Sequence, residues 1–135
     1  MQAKKMQLSS LDHYNIETVK HEETVWFYSE VLGLVNAPEK RPNVGGPGTW
    51  LMVAGHPAIH VNFITEDCAS KTGAIDHIAF VASGYQELEA SFGKHKVPYK
   101  KIDRPDFNGC QLYVVDPNQI KIELNIRDEI YATDK

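Results

Sequence analysis

The sequence predicts an α+β domain of two tandem βαβββ modules, forming a curved, cup-like mixed sheet with helices on the outer face. Three observations predict it. A strand-like segment that opens with an apolar residue, Asp and His occurs twice, at Leu11-Asp12-His13 and again at Ile75-Asp76-His77. Each copy leads into a helix-like stretch followed by further strand-like runs. Each half then closes on a strand bearing a potential metal ligand, His60 in one and Glu123 in the other, and the separation of His13 from His77 nearly equals that of His60 from Glu123.

The elements follow in order. In the first strand, 11–19, His13, Asn15 and Glu17 face one way and Tyr14 and Ile16 the other, as a period of two requires. From His21 to Leu32, Val25, Tyr28 and Val31 recur at helical spacing. Glu22 and Glu23 lie in the first turn, and Gly33 suits the left-handed residue after a helix. Leu34 to Arg41 reads as an edge strand, because Pro38 and Pro42 cannot donate to a ladder. Asn43 to Gly48 is a loop without the spacing of a phosphate-binding motif. Thr49 to Ala54 is a strand, Gly55-His56-Pro57 a turn, and Ala58 to Ile64 the strand that carries His60. A polar stretch, Glu66 to Gly73, links the halves.

The second half repeats the order. The Asp76-His77 strand leads to a helix whose buried stripe is Tyr85, Leu88 and Phe92. Strands over Val97–Asp103, Cys110–Val115 and Ile120–Ile126 follow, with a loop at 104–109, a tight turn at Asp116-Pro117-Asn118 and a charged tail beyond Arg127. The modules span 8–65 and 74–127 of a single domain covering 1–135.

Composition narrows the class. The 135 residues carry a net charge of −4, which disfavours nucleic acid and anionic membrane as partners. No apolar run approaches a membrane span, and the N-terminal residues lack a signal-peptide core. Two cysteines, Cys68 and Cys110, make no disulfide framework, so a reducing cytoplasm is the expected compartment. Cys110 is expected to be a small core residue rather than a nucleophile.

Period two also selects the residues that line the cup. His60 shares a face with Asn62, Glu123 with Lys121 and Asn125, and His77 opposes Ile78 and Phe80. Each candidate ligand thus falls opposite an apolar face that can cover a helix, and a polar inner surface is costly to bury without a ligand. His13, His60, His77 and Glu123 supply three imidazoles and a carboxylate, a donor set suited to one divalent ion, with Zn, Fe, Ni, Co and Mn all open. His56 is expected in a loop, and His21 and His95 at solvated positions.

At these residues the chain resembles the vicinal oxygen chelate superfamily, which includes glyoxalase, bleomycin-resistance and dioxygenase proteins. The resemblance rests on Leu11-Asp12-His13, Phe27-Tyr28-Ser29-Glu30-Val31-Leu32-Gly33-Leu34, Asp76-His77-Ile78-Ala79-Phe80, and Asp116-Pro117-Asn118 leading to Ile122-Glu123-Leu124. It implies paired βαβββ modules and a divalent metal that chelates adjacent oxygens of a small-molecule substrate. His13, His60, His77 and Glu123 hold the superfamily's ligand positions. It also implies a homodimer, with the cup closed within one chain or across two.

Two departures matter. His60 stands where glyoxalase I has a carboxylate base, and Gln119 stands where Gly is usual. The expected function is a metal-dependent, glyoxalase-like lyase or isomerase, with Glu123 also the candidate general base. Asn15, Asn62, Gln111, Tyr113 and Asn125 are the candidate substrate-binding residues. The alternatives are an Fe(II) extradiol-type dioxygenase, a fosfomycin-type thiol transferase and a metal-free binding protein of the bleomycin-resistance type. Arg41 and Arg104 are expected to be solvated.

Overall fold

A computed structural model describes residues 10–42, 46–66, 72, 75 and 77–127. Asp76, Cys68, most of the linker and the charged tail lie outside the described residues. The first half contains β1 (Tyr14–Thr18), α1 (His21–Trp26), β2 (Val35–Asn36), β3 (Gly48–Val53) and β4 (His56–Phe63). The second contains β5 (Ile78–Ala82), α2 (Tyr85–Lys94), β6 (Lys100–Arg104), β7 (Gly109–Val115) and β8 (Lys121–Ile126). The predicted βαβββ order is present twice.

The strands form two four-stranded mixed sheets, ordered β1-β4-β3-β2 and β5-β8-β7-β6. The sheets are curved and not closed into one. In each half the first strand runs parallel to the last, with Asn15 beside His60 and Ala79 beside Glu123. The remaining pairings are antiparallel. Duplication extends to details the sequence pattern did not advertise. The second strand of each half ends in a proline-led 3-10 turn, Pro38–Lys40 and Pro105–Phe107. Gly48 and Gly109 then open the third strand, each with its α-carbon pressed against the last strand. A Cβ there would lie 2.2 Å from the Val61 carbonyl oxygen or 1.7 Å from that of Ile126.

Several boundaries move. The first helix continues past Trp26 into a wider π turn over Phe27–Val31, closed by the Leu32 N–H donating to the Phe27 carbonyl at 3.2 Å. Gly33 takes the expected positive φ. The edge strand shrinks to Val35–Asn36, because Pro38 starts a 3-10 turn there. His56 belongs to β4 and not to a loop, since Ala54 and Gly55, both at positive φ, make the turn on their own. Gln119 adopts φ 69 in the turn before β8, the conformation that glycine would take at least strain.

One core serves both halves, with Ile16, Tyr28, Leu51 and Ile59 in the same buried cluster as Phe92, Leu112, Ile122 and Ile126. Cys110 is buried within it. Polar bonds fix the junction. The Tyr28 hydroxyl donates to Asp116 Oδ2 at 2.9 Å, and Ser91 Oγ donates to the Val31 carbonyl. Asn118 accepts from Thr18 Oγ1 at 2.6 Å and donates to Thr24 Oγ1 at 3.0 Å. The halves are therefore joined by β1, α1 and the π turn meeting α2 and the 116–120 turn.

Candidate functional site

The four candidate ligands come together as two pairs, one in each half. In the first, the His13 and His60 rings stack with centroids 3.7 Å apart and planes 10° from parallel. The pair follows from register: β1 and β4 are adjacent and parallel, so polar positions of both strands lie side by side. Trp50, directly across from His60 on β3, stacks on the other face of that ring at 4.8 Å. His60 is thus held between two rings, and its buried Nε2 has no hydrogen-bond partner. Burial, followed by the nearby His13, lowers the His60 pKa, so the ring is neutral at neutral pH. His13 Nδ1 lies 2.5 Å from Asp12 Oδ2, and this bond holds the Asp12 carboxyl below its ordinary value. His56 Nε2 reaches the Asp12 carbonyl at 2.7 Å.

The second pair is His77 and Glu123, with Nε2 and Oε1 3.4 Å apart. Glu123 is nearly buried and sits in a continuous polar network. Asn125 Nδ2 donates to Glu123 Oε2 at 2.7 Å, Gln111 Nε2 donates to Asn125 Oδ1 at 2.9 Å, and the Tyr113 hydroxyl donates to Gln111 Oε1 at 3.2 Å. Register places Gln111 beside Asn125 and Tyr113 beside Glu123, so all four share one face. Burial alone would raise the Glu123 carboxyl. Asn125, Tyr113, His77 and Arg104 together outweigh it and hold the pKa below the usual value. Glu123 is therefore ionised at neutral pH.

Among the described residues, no three His, Cys, Asp or Glu side chains are placed to hold one ion. The stacked geometry of the first pair adds a constraint: ring-nitrogen lone pairs lie in the ring plane, so parallel rings cannot both aim at one ion until one turns. The donor chemistry nonetheless fits a divalent metal. It offers a neutral, preoriented imidazole with an orphaned buried nitrogen and, in the other half, an ionised carboxylate held by an amide.

The expected lining residues divide. Asn125 is committed to holding Glu123, and Gln111 to holding Asn125. Asn62 Oδ1 accepts from Arg41 Nη2 at 2.9 Å, while Arg41 Nη1 donates to the Gly46 carbonyl. Arg41 is thus ordered over the bare Gly48 rather than solvated. Arg104 is also engaged, bidentate to Asp106 at 2.6 and 2.9 Å. Asn15 is exposed beside His60. His21 and His95 are half-buried rather than fully solvated. His21 stacks on Phe63 and bonds the Ile64 carbonyl, and His95 meets Trp26 edge-on. Trp50 and Arg41 were the residues that pattern alone missed as site neighbours. For Trp50, the available signal was its place in the strand preceding His60.

Neither a protein-family model nor a curated protein matches the sequence. Solved structures do match over nearly the whole chain. A glyoxalase/dioxygenase from Nostoc punctiforme superposes with a TM-score of 0.74 at 15% identity, covering 94% of this chain and 100% of that one. A glyoxylase/bleomycin resistance protein/dioxygenase domain from Frankia sp. EAN1pec gives 0.70 at 17% identity, with 93% and 96% covered. The genomically encoded fosfomycin resistance protein FosX from Listeria monocytogenes gives 0.65 at 18% identity, with 89% and 94% covered. The chain has the fold these proteins share.

Proposed function

We propose that the protein is a metal-dependent enzyme of glyoxalase type, acting on a small molecule that presents two adjacent oxygens. His13 and His60 of one copy and His77 and Glu123 of a second copy would form each metal site. The observation that carries this reading is the orphaned, buried Nε2 of His60, poised between two rings, with its counterpart in the second half a buried ionised carboxylate. Among the described residues of one chain, no three such side chains are placed to hold one ion, which is why the reading draws the two pairs from two copies. In a two-fold dimer, two pairs on each chain become two complete sets. The bound divalent ion would supply Lewis-acid stabilisation of a developing oxyanion.

The chain's own groups do the rest. Asn125 holds Glu123 charged and Trp50 fixes the His60 ring, so His13, held only by the exposed Asp12, is the ring that would turn toward the ion. The surroundings of Glu123 favour its charged form, which suits a ligand better than a strong base. Glu123→Gln separates the two roles: a ligand variant loses metal, whereas a base variant keeps metal and loses turnover.

The test of the cross-chain site is a mixing experiment. Wild-type protein, purified without chelator and loaded with zinc, is expected to hold about one ion per chain as a dimer. His60→Ala and His77→Ala homodimers are each expected to lose it. Mixed dimers of the two variants should regain about half of the wild-type metal, because one of their two sites is wholly intact. Less than about 0.2 ion per wild-type chain after loading would reject the metal site. No recovery on mixing, with both variants folded and dimeric, would reject its assembly from two chains.

A further inference from the structure

Beyond the metal ligands, the second half carries a cavity of about 620 Å³ whose lining has a consistent chemical character. Lys100 and Ile102 of β6, Tyr113 and Val115 of β7, and Lys121 of β8 line it, with His77 at one side. Register puts these strand residues on a single face, since Lys100 lies beside Tyr113 and Val115 beside Lys121. That face also bears Glu123, which is beside Tyr113. Lys101, the intervening residue of β6, points the other way and packs over the Tyr85 ring at 4.7 Å.

Two features of this wall stand out against the rest of the molecule. Exposed large apolar side chains gather here: Tyr99, Ile102 and Val115 are 40%, 36% and 50% exposed. Clusters of such residues around a cavity mark binding surfaces, and the volume is within the range of small-molecule pockets. Among the described residues, the charged groups of the lining are both lysines and none is Asp or Glu, in a chain whose net charge is −4.

We propose that this cavity takes the body of the substrate, and that the substrate class is an amphipathic anion: an apolar, ring-sized body bearing a carboxylate, sulfonate or phosphoryl group. The inference deepens the reading of the previous subsection and rests on it for the word substrate. Apolar walls exclude water from the body of the molecule, while Lys100 and Lys121 neutralise its charge. His77 borders the cavity, so a molecule seated there lies against one of the proposed ligands. The specificity of the site would then come from β6 and β7, strands that contribute no metal ligand.

The test compares two fluorescent probes that share one ring system and differ in a single sulfonate group, 1-anilinonaphthalene-8-sulfonate and its neutral analogue N-phenyl-1-naphthylamine. Each is titrated into the protein, metal-stripped and zinc-loaded. Saturable binding of the sulfonate at one per chain is expected, with about tenfold higher affinity than the neutral probe. Lys100→Gln combined with Lys121→Gln should bring the two affinities within about twofold, leaving the neutral probe unchanged. Val115→Trp, which fills the cavity, should weaken both probes, and urea denaturation of each variant confirms that it is folded. Equal affinities in the wild type, a preference that survives in the double variant, or no saturable site would overturn the proposal. A charge preference in both metal states combined with no zinc uptake would sink the metal reading while leaving an anion-binding pocket. Zinc uptake without the preference would do the reverse.

Discussion

Replacing Asp116 should separate the joint between the halves from the rest of the fold. The residue is only 2% exposed, and its carboxylate accepts three short bonds, from the Tyr28 hydroxyl at 2.9 Å and from the backbone N–H groups of Asn118 and Ile120, each at 2.8 Å, besides a longer one from Asn118 Nδ2 at 3.5 Å. Asp116→Ala leaves those three donors without their acceptor. At 1–3 kcal/mol for a buried unsatisfied group, with some relief for the turn amides, the loss should reach about 3–5 kcal/mol. That is a large share of the roughly 5–15 kcal/mol available to a domain. Asp116→Asn keeps one oxygen for the turn amides, and the Tyr28 hydroxyl can reverse to accept from the new amide. A cost of about 1–2 kcal/mol is expected there.

The two variants also predict a pH signature. Burial raises the Asp116 carboxyl above its ordinary value, and the bonds from Ile120, Tyr28 and Asn118 offset this only in part. The folded state therefore binds this proton more readily than the unfolded chain does. The residue's contribution to stability is greatest at acid pH and declines as pH rises from about 3.8 through the raised folded value. Asparagine does not titrate, so the deficit of Asp116→Asn should shrink over that same window. Urea denaturation of the wild type and both variants across that pH range measures all three quantities. An Asp116→Ala protein within about 1 kcal/mol of wild type would refute the reasoning, because three buried donors would then have found other partners.

The remaining predictions concern backbone and site. Gly109→Ala should destabilise the fold by more than about 3 kcal/mol, since a Cβ 1.7 Å from the Ile126 carbonyl oxygen forces β7 off β8; thermal unfolding near wild type would contradict the close approach. Gln119→Gly should stabilise by about 0.5–1 kcal/mol, because relief of positive-φ strain exceeds the added chain entropy. A lower melting temperature for that variant would count against strain at the turn. Trp50→Leu should leave folding largely intact and weaken zinc affinity at least about tenfold by freeing the His60 ring, as read by competition with a chromophoric chelator. Unchanged affinity would show that the stack does not orient the ligand.

Much of the architecture was legible in the chain because it depends on local periodicity. Alternation put His60 and Asn62 on one face and Ile59 and Val61 on the other. Helical spacing marked Tyr28 and Phe92 as core residues, and both are fully buried. The repeat of Leu11-Asp12-His13 at Ile75-Asp76-His77 announced the duplication. Boundaries were less legible. Whether Pro38 ends a strand or starts a 3-10 turn, and whether His56 sits in a turn or a strand, depends on pairing with a neighbour that the local sequence does not contain.

The site shows the same division. From the residues alone came the four candidate ligands and the face of the strand each occupies, because a period of two is a property of one extended chain. Only the tertiary structure decided that the four come as two pairs, that Trp50 clamps His60, that Arg41 is drawn onto Gly48, and that Glu123 is both buried and ionised. The physical reason is range. Alternation is set by bonds between adjacent residues. Which faces meet is set instead by how two halves share one core, through Tyr28, Asp116 and Asn118, residues distant in sequence and joined only on folding.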